Sequence, residues 1–263
     1  MSVESISAMP YVIDLTLHVH HVLPSSAGEP HRALNALLYH WLDAAEPALS
    51  KFVHEQAEPK PFTVSPLWQE GEGNYRFRMT LLEDQYAAFI ARGMEKERTV
   101  RVGKEVLEIR DSRLEHCGYE ELAQAVKLDG DLILQFTSPM SFRVNDLDDP
   151  LPLARRVFQS HLTKWNAFSG FALEPAATFL EWVESCVVIS RMDLQTDVLR
   201  FERHVQIGCV GRVQYRVAKR AGGDEPVVRG LNILGNYAAF CGTGRKTTQG
   251  MGMTRRIKVW DEG

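Results

Sequence analysis

The stretch Gly242-Thr243-Gly244-Arg245-Lys246-Thr247-Thr248-Gln249-Gly250-Met251-Gly252 holds two Gly-x-Gly pairs, with Arg245 and Lys246 between them. Glycine tolerates positive φ and lets a backbone approach a neighbour closely. Amides unshielded by side chains, set beside two cations, form an anion cradle. Order along the chain separates the kinds of glycine loop. Phosphate loops and dinucleotide fingerprints follow a strand and open a helix. Here a helical pattern at 226–240 precedes the glycines, and a strand-like pattern at 253–260 follows them. The P-loop spacing is also absent. The stretch therefore reads as a loop that grips a polyanion, not a nucleotide cofactor.

Working outward, residues 11–19 alternate apolar and polar as a half-buried strand does. Pro30 opens a helix to about residue 45, with Leu34, Leu37, Leu38, Trp41 and Leu42 at helical spacing. Pro47 starts a shorter helix bearing Leu49, Phe52 and Val53. Strand patterns at 62–67 and 75–81, a helix at 83–94 and short strands at 99–102 and 106–109 follow. The order then begins again. Strands at 132–137 and 140–144 precede helices at 151–168 and 177–184. Strands at 186–190, 204–207 and 210–217, a helix opened by Asp224-Glu225-Pro226 and a strand at 254–260 complete the chain. Each half reads strand–helix–strand–strand–helix–strand, the ferredoxin-like order. The expected fold is α+β, with two tandem ferredoxin-like (RRM-like) βαββαβ domains. The boundaries predicted are 1–128 and 129–263, with Gly130 at the join.

At 263 residues, 44% hydrophobic and 24% charged, the composition is that of an ordinary globular protein. A net charge of −4 argues against generic nucleic-acid coating, but the charge is uneven. Residues 1–128 carry 13 basic against 19 acidic side chains, whereas residues 195–263 carry 12 against 6. A basic surface can steer a polyanion even on an acidic protein. Cys117, Cys186, Cys209 and Cys241 are scattered without a CxxC pair, the pattern of buried thiols. No signal peptide and no membrane-length apolar run is present, so a cytoplasmic location is expected, with no membrane partner.

Tyr39 and His54 each flank an apolar helical stripe, and Lys60 lies in the proline-bounded turn Pro59-Lys60-Pro61. Alone, a boundary tyrosine is ordinarily packing and a histidine at a helix end is ordinarily a cap. Their neighbours carry more. The segments Ala36-Leu37-Leu38-Tyr39, Pro47-Ala48-Leu49, Phe52-Val53-His54-Glu55 and Pro59-Lys60-Pro61-Phe62-Thr63 resemble the N-terminal signature of a known family. It comprises the CRISPR-associated precursor-RNA processing endoribonucleases of the repeat-associated mysterious protein (RAMP) superfamily. Phe136-Thr137-Ser138-Pro139-Met140 is similar to that family's mid-chain strand turn, and the glycine loop resembles the superfamily's hallmark. The resemblance spans essentially the whole chain and implies two ferredoxin-like domains. It also implies cleavage of CRISPR repeat RNA without metal or other cofactor. Tyr39 and His54 would be its acid–base pair, and Lys60 would stabilise phosphate charge. His40, on the other side of the stripe, is the rival.

These residue types suit RNA cleavage, because the 2′-hydroxyl supplies the nucleophile and the protein need only move protons and stabilise charge. Histidine exchanges protons near neutrality. Tyrosine serves better as acid than as base, unless a cation such as Lys60 lowers its pKa. His54 is therefore favoured as base toward the 2′-hydroxyl and Tyr39 as acid toward the 5′ oxygen, with the reverse assignment open. Expected RNA contacts are Gly242, Gly244, Arg245, Lys246, Gly250 and Gly252 in the loop, then Arg255 and Lys258 beyond it. On the helix opening the second half, where His161 also lies, Arg155, Arg156 and Lys164 are further candidates. Partner expectations are repeat RNA, other CRISPR effector-complex subunits and a second copy of the chain. His18, His20 and His21 read as a surface patch more than a metal pair. Residues 145–149 lack the glycine and distal glutamate of a calcium loop and read as a capped helix entry. Two alternatives are a non-catalytic RNA-binding scaffold subunit and a metabolite- or nucleotide-binding enzyme.

Overall fold

The computed structural model describes residues 9–20, 31–173, 176–201, 204–221 and 225–260. Pro30, His21 and Asp224 lie outside them. The first half contains β1 (Tyr11–His18), α1 (His31–Ala45), α2 (Pro47–Glu55), β2 (Phe62–Val64), β3 (Trp68–Gly71), β4 (Asn74–Leu81), α3 (Ala87–Lys96), β5 (Thr99–Val102) and β6 (Glu105–His116). A short helix, α4 (Tyr119–Gln124), follows. The second half contains β7 (Asp131–Met140), β8 (Phe142–Val144), β9 (Leu147–Asp149), α5 (Ala154–Phe168), α6 (Ala176–Cys186), β10 (Val187–Phe201), β11 (His204–Val217), α7 (Glu225–Cys241) and β12 (Thr254–Ile257). The first sheet has the order β2-β4-β1-β6-β5, with β3 on β4, and the second has β10-β11-β7-β12. In each, the opening strand lies inside the sheet between the third and last strands of a βαββαβ unit. The tandem ferredoxin-like α+β architecture is present.

Two apolar cores follow from the two sheets. Leu34, Leu38 and Trp41 of α1 pack against Leu15, Leu17, Phe77 and Met79 on alternate strand positions. Val157, Phe158 and Trp165 of α5, with Leu234 and Tyr237 of α7, cover Leu132, Leu134 and Phe136 of β7. Helix α4 joins the second core, and the Tyr119 hydroxyl reaches back to the Leu82 carbonyl at 2.9 Å.

Several elements differ from expectation. Strand β6 runs to His116, past the predicted end at 109, because β1 pairs with its polar residues Asp111, Ser112 and Arg113. Gly208 and Cys209, left between two predicted strands, lie within a single strand, β11, that ladders with β10 to Phe201. Residues 145–149 are not a helix entry. Asn145 and Asp146, at φ 44° and 67°, form the tip of a β8–β9 hairpin, as a two-residue turn with both φ positive requires.

The glycine loop also differs from the open cradle expected. Its amides bond within the protein: Thr243 to Gly252 O, Arg245 to Ser141 O, Gly252 to Pro139 O, and Gly244 to the Ser160 hydroxyl. The glycines serve close backbone packing. A Cβ on Gly244 would sit 2.2 Å from Ser141 O, and one on Gly252 would sit 2.0 Å from Thr243 O. Both have positive φ, 78° and 69°.

Beneath the loop, α5 presents two buried polar side chains, His161 and the expected phosphate contact Lys164. His161 is fully buried, with Nε2 2.7 Å from the Thr243 hydroxyl. The Lys164 ammonium donates to the Cys241 carbonyl and, at 3.1 Å, to the Thr247 hydroxyl. Lys164 is therefore a buried anchor of the loop, not a surface phosphate contact. Burial, with Lys164 nearby, pushes the His161 pKa down to about 3 and keeps the ring neutral.

Two outcomes are expected. Gly252→Ala adds a clash to positive-φ strain and should cost at least about 2 kcal/mol. That is a Tm fall of roughly 4–8 °C by calorimetry. His161 is neutral when folded but binds a proton when unfolded below about pH 6.5, so its contribution to stability is lost as pH falls from 6.5 toward 3. Urea titrations should show about 2 kcal/mol of this loss between pH 6.5 and 5. His161→Gln should flatten that dependence.

Candidate active site and RNA interface

Tyr39 lies on α1 and His54 on the last turn of α2, in consecutive helices tied together by the Ser50 hydroxyl donating to the Tyr39 carbonyl at 3.1 Å. The two rings meet edge to face, with centroids 5.1 Å apart and planes at 78°. Phe62 of β2 packs edge-on against Tyr39 at 5.7 Å. His54 is exposed, whereas Tyr39 is half-buried. The two side chains singled out by sequence are thus in contact, and the imidazole faces solvent.

Lys60 has a different neighbourhood from the one expected. Its ammonium donates to the carbonyls of Val53 at 2.9 Å, His54 at 2.8 Å, and Gln56. These are acceptors at the C-terminal end of α2, where backbone carbonyls lack helical partners and positive charge is favoured. The side chain therefore fixes the turn that carries His54. Nor does a cation lower the Tyr39 pKa. Burial raises it, and the Glu58 carboxylate raises it further. Tyr39 stays a protonated phenol.

The glycine loop adjoins this pair. Asn35 lies one helical turn before Tyr39 on the same face of α1, and its amide donates to the Thr248 carbonyl at 2.8 Å. Glu58, whose charge acts on Tyr39, lines a cleft of about 320 Å³ with Arg245, Lys246, Thr248 and Gln249. The Thr80 hydroxyl of β4 donates to the Phe240 carbonyl near the end of α7. The loop belongs to the second sheet's half of the chain and bears on the first.

The other predicted contacts divide. Arg156 and Arg245 gather beside the loop, each against a carboxylate of β9, Asp149 and Asp148 respectively. Arg155 turns to Glu184 of α6 at 2.8 Å. Arg255 is exposed on the second sheet, its guanidinium 2.9 Å from the Gln135 amide oxygen. Lys258 lies past the far end of β12, in a cavity with Lys127 and Arg256. His40 lines a separate cleft against β5 with Leu37, Val100 and Arg101, on the opposite side from His54. His18 and His20 stack edge to face at 5.3 Å, and His18 Nδ1 is 2.9 Å from the Asn74 side-chain oxygen. Sequence reasoning missed Asn35, Glu58 and Arg143. The first two lie inside or beside segments already quoted, and Arg143 follows the Phe136–Met140 segment. Their roles depend on contacts made across the fold.

The family model for the CRISPR-associated endoribonuclease Cas6 matches residues 134–254. A product complex of Thermus thermophilus Cas6 (TTHB231) superposes with a TM-score of 0.85 at 25% identity, covering 95% of this chain and 99% of that one. A Cas6 (TTHA0078) product complex gives 0.80 at 28% identity, covering 95% and 100%. A Cas6-related protein from Pyrococcus furiosus shares the fold, with a TM-score of 0.63 at 16% identity and coverage of 96% and 100%. No curated protein matches significantly. No described helix is long and apolar enough to cross a membrane. With its tandem ferredoxin-like fold, glycine loop and the match over 134–254, the chain is similar to the CRISPR-associated Cas6 endoribonucleases.

Proposed function

We propose that this chain cleaves CRISPR repeat RNA to mature guide RNAs, by a metal-independent attack of the 2′-hydroxyl. The observation that carries the reading is the Tyr39–His54 contact beside Glu58, which faces the glycine loop. Product-bound Cas6 structures among the similar proteins support RNA as the polymer. The proposed halves are 1–128 with the catalytic pair and 129–263 with the glycine loop.

In this mechanism the exposed His54 imidazole takes the 2′-hydroxyl proton. The 2′ oxygen attacks the adjacent phosphorus, and the bond from phosphorus to the 5′ oxygen breaks. Tyr39, kept protonated by burial and by Glu58, donates its proton to the departing 5′ oxygen. The products carry a 2′,3′-cyclic phosphate and a 5′-hydroxyl. Lys60 acts as a positioning residue, holding the final turn of α2. Arg245 and Lys246, on the facing loop, supply positive charge to the phosphate.

Repeat RNA incubated with the protein and excess chelator should still be cut, and a 2′-deoxy nucleotide at the cut site should abolish cutting. Chelator-sensitive cleavage would remove the metal-free mechanism, and binding without cleavage would favour a scaffold. His54→Ala should lower the single-turnover rate by about 10²–10⁴-fold. Lys60→Ala should lower both that rate and Tm, with Lys60→Arg recovering both. A higher KM at unchanged Tm would instead indicate direct phosphate contact.

A further inference from the structure

Three guanidinium groups converge on a cavity of about 350 Å³ beside the glycine loop. Arg143 comes from β8, Arg156 from α5 and Arg245 from the loop, while Phe142, Gln159 and Ser160 complete the wall. Each guanidinium is held by the β8–β9 hairpin. Asp148 meets Arg245 and, at 3.8 Å, Arg143; Asp146 meets Arg143 at 3.3 Å; Asp149 meets Arg156. These carboxylates do not line the cavity, although all three arginines do. A guanidinium has five N–H donors in a rigid fork. A carboxylate that takes one or two of them fixes the plane and leaves donors for a second acceptor. The cavity wall is therefore cationic and preset, which suits a phosphate.

The remaining wall has the chemistry of a base site. An aromatic ring offers a stacking face to an unpaired base. The Gln159 amide both donates and accepts, as a base edge requires. The volume is at the small end of ligand pockets, typically about 300–1,000 Å³, and too small for a duplex. Gly244 and Arg245 line this cavity and also the Glu58 cleft, so the two are separated only by the ridge of the loop.

We infer that this cavity takes one unpaired nucleotide of the RNA, with its phosphate on Arg143, Arg156 and Arg245 and its base against Phe142 and Gln159. The inference rests on the RNA reading above and adds a sequence-reading position one ridge away from the proposed cleavage centre. The test is a filter-binding scan with repeat RNA from the encoding genome, placing one abasic nucleotide at each unpaired position in turn. The wild-type chain should lose about tenfold in affinity at one position, the scale of one stacked base. Phe142→Leu combined with Gln159→Ala should erase that loss while keeping the abasic losses elsewhere. An abasic profile identical to wild type would overturn the base site. Arg143→Ala should reduce the slope of log affinity against log salt by about one; an unchanged slope would overturn the phosphate contact. If the wild-type chain binds no repeat RNA, the RNA reading itself fails first.

Discussion

The glycine loop rests on a lysine ammonium buried between α5 and the end of α7. Burying such a charge costs several kcal/mol unless it is well hydrogen-bonded. Lys164 meets the demand with the Cys241 carbonyl, which closes α7, and the Thr247 hydroxyl, in the short turn inside the loop. Burial lowers its pKa, and Cys241 and Glu58 oppose that shift. One turn earlier on α5, His161 holds Thr243, and between them the two residues fix both sides of the Gly242–Arg245 bend. The loop can then stand against Pro139 of β7, against Ser141 just past its end and against Asn35 of α1.

The same physical device recurs on the candidate catalytic side. Lys60 gathers the last carbonyls of α2 as Lys164 takes the last carbonyl of α7. In both, a cation ends a helix where its dipole is negative. One helix end carries His54, and the other leads into Gly242. Two lysines of opposite exposure, one half-buried and one fully enclosed, thus orient the facing walls of the proposed site.

The tandem topology was legible because helix and strand periodicity repeated in the same order and because the reversed helix–loop–strand context excluded a nucleotide fold. Tyr39 and His54 were legible because each follows an apolar stripe by one position, which sets it at the margin of a buried face. What escaped was partnership. Arg245, Arg156 and Lys60 read as cations available to phosphate, yet each is oriented by a carboxylate or carbonyls that only the fold brings near. Lys164 read as a phosphate contact because helical spacing does not say what lies above a helix. The β8–β9 hairpin was hidden in an acidic run whose Asn-Asp tip also fits a helix cap. Net charge counted the basic residues near the C-terminus correctly, but Arg212, Arg216 and Arg256 are matched by Asp193, Asp131 and Asp129.

Because the loop's amides close on their own neighbours, its glycines answer first to the joint they build. Gly244 lies against Ser141, and Gly252 lies against Thr243, at separations no side chain would permit. A relative that had abandoned nucleic acid altogether would still need those glycines to fold. The glycine pattern therefore reports architecture, and activity must be read from residues that could be exchanged without disturbing the joint.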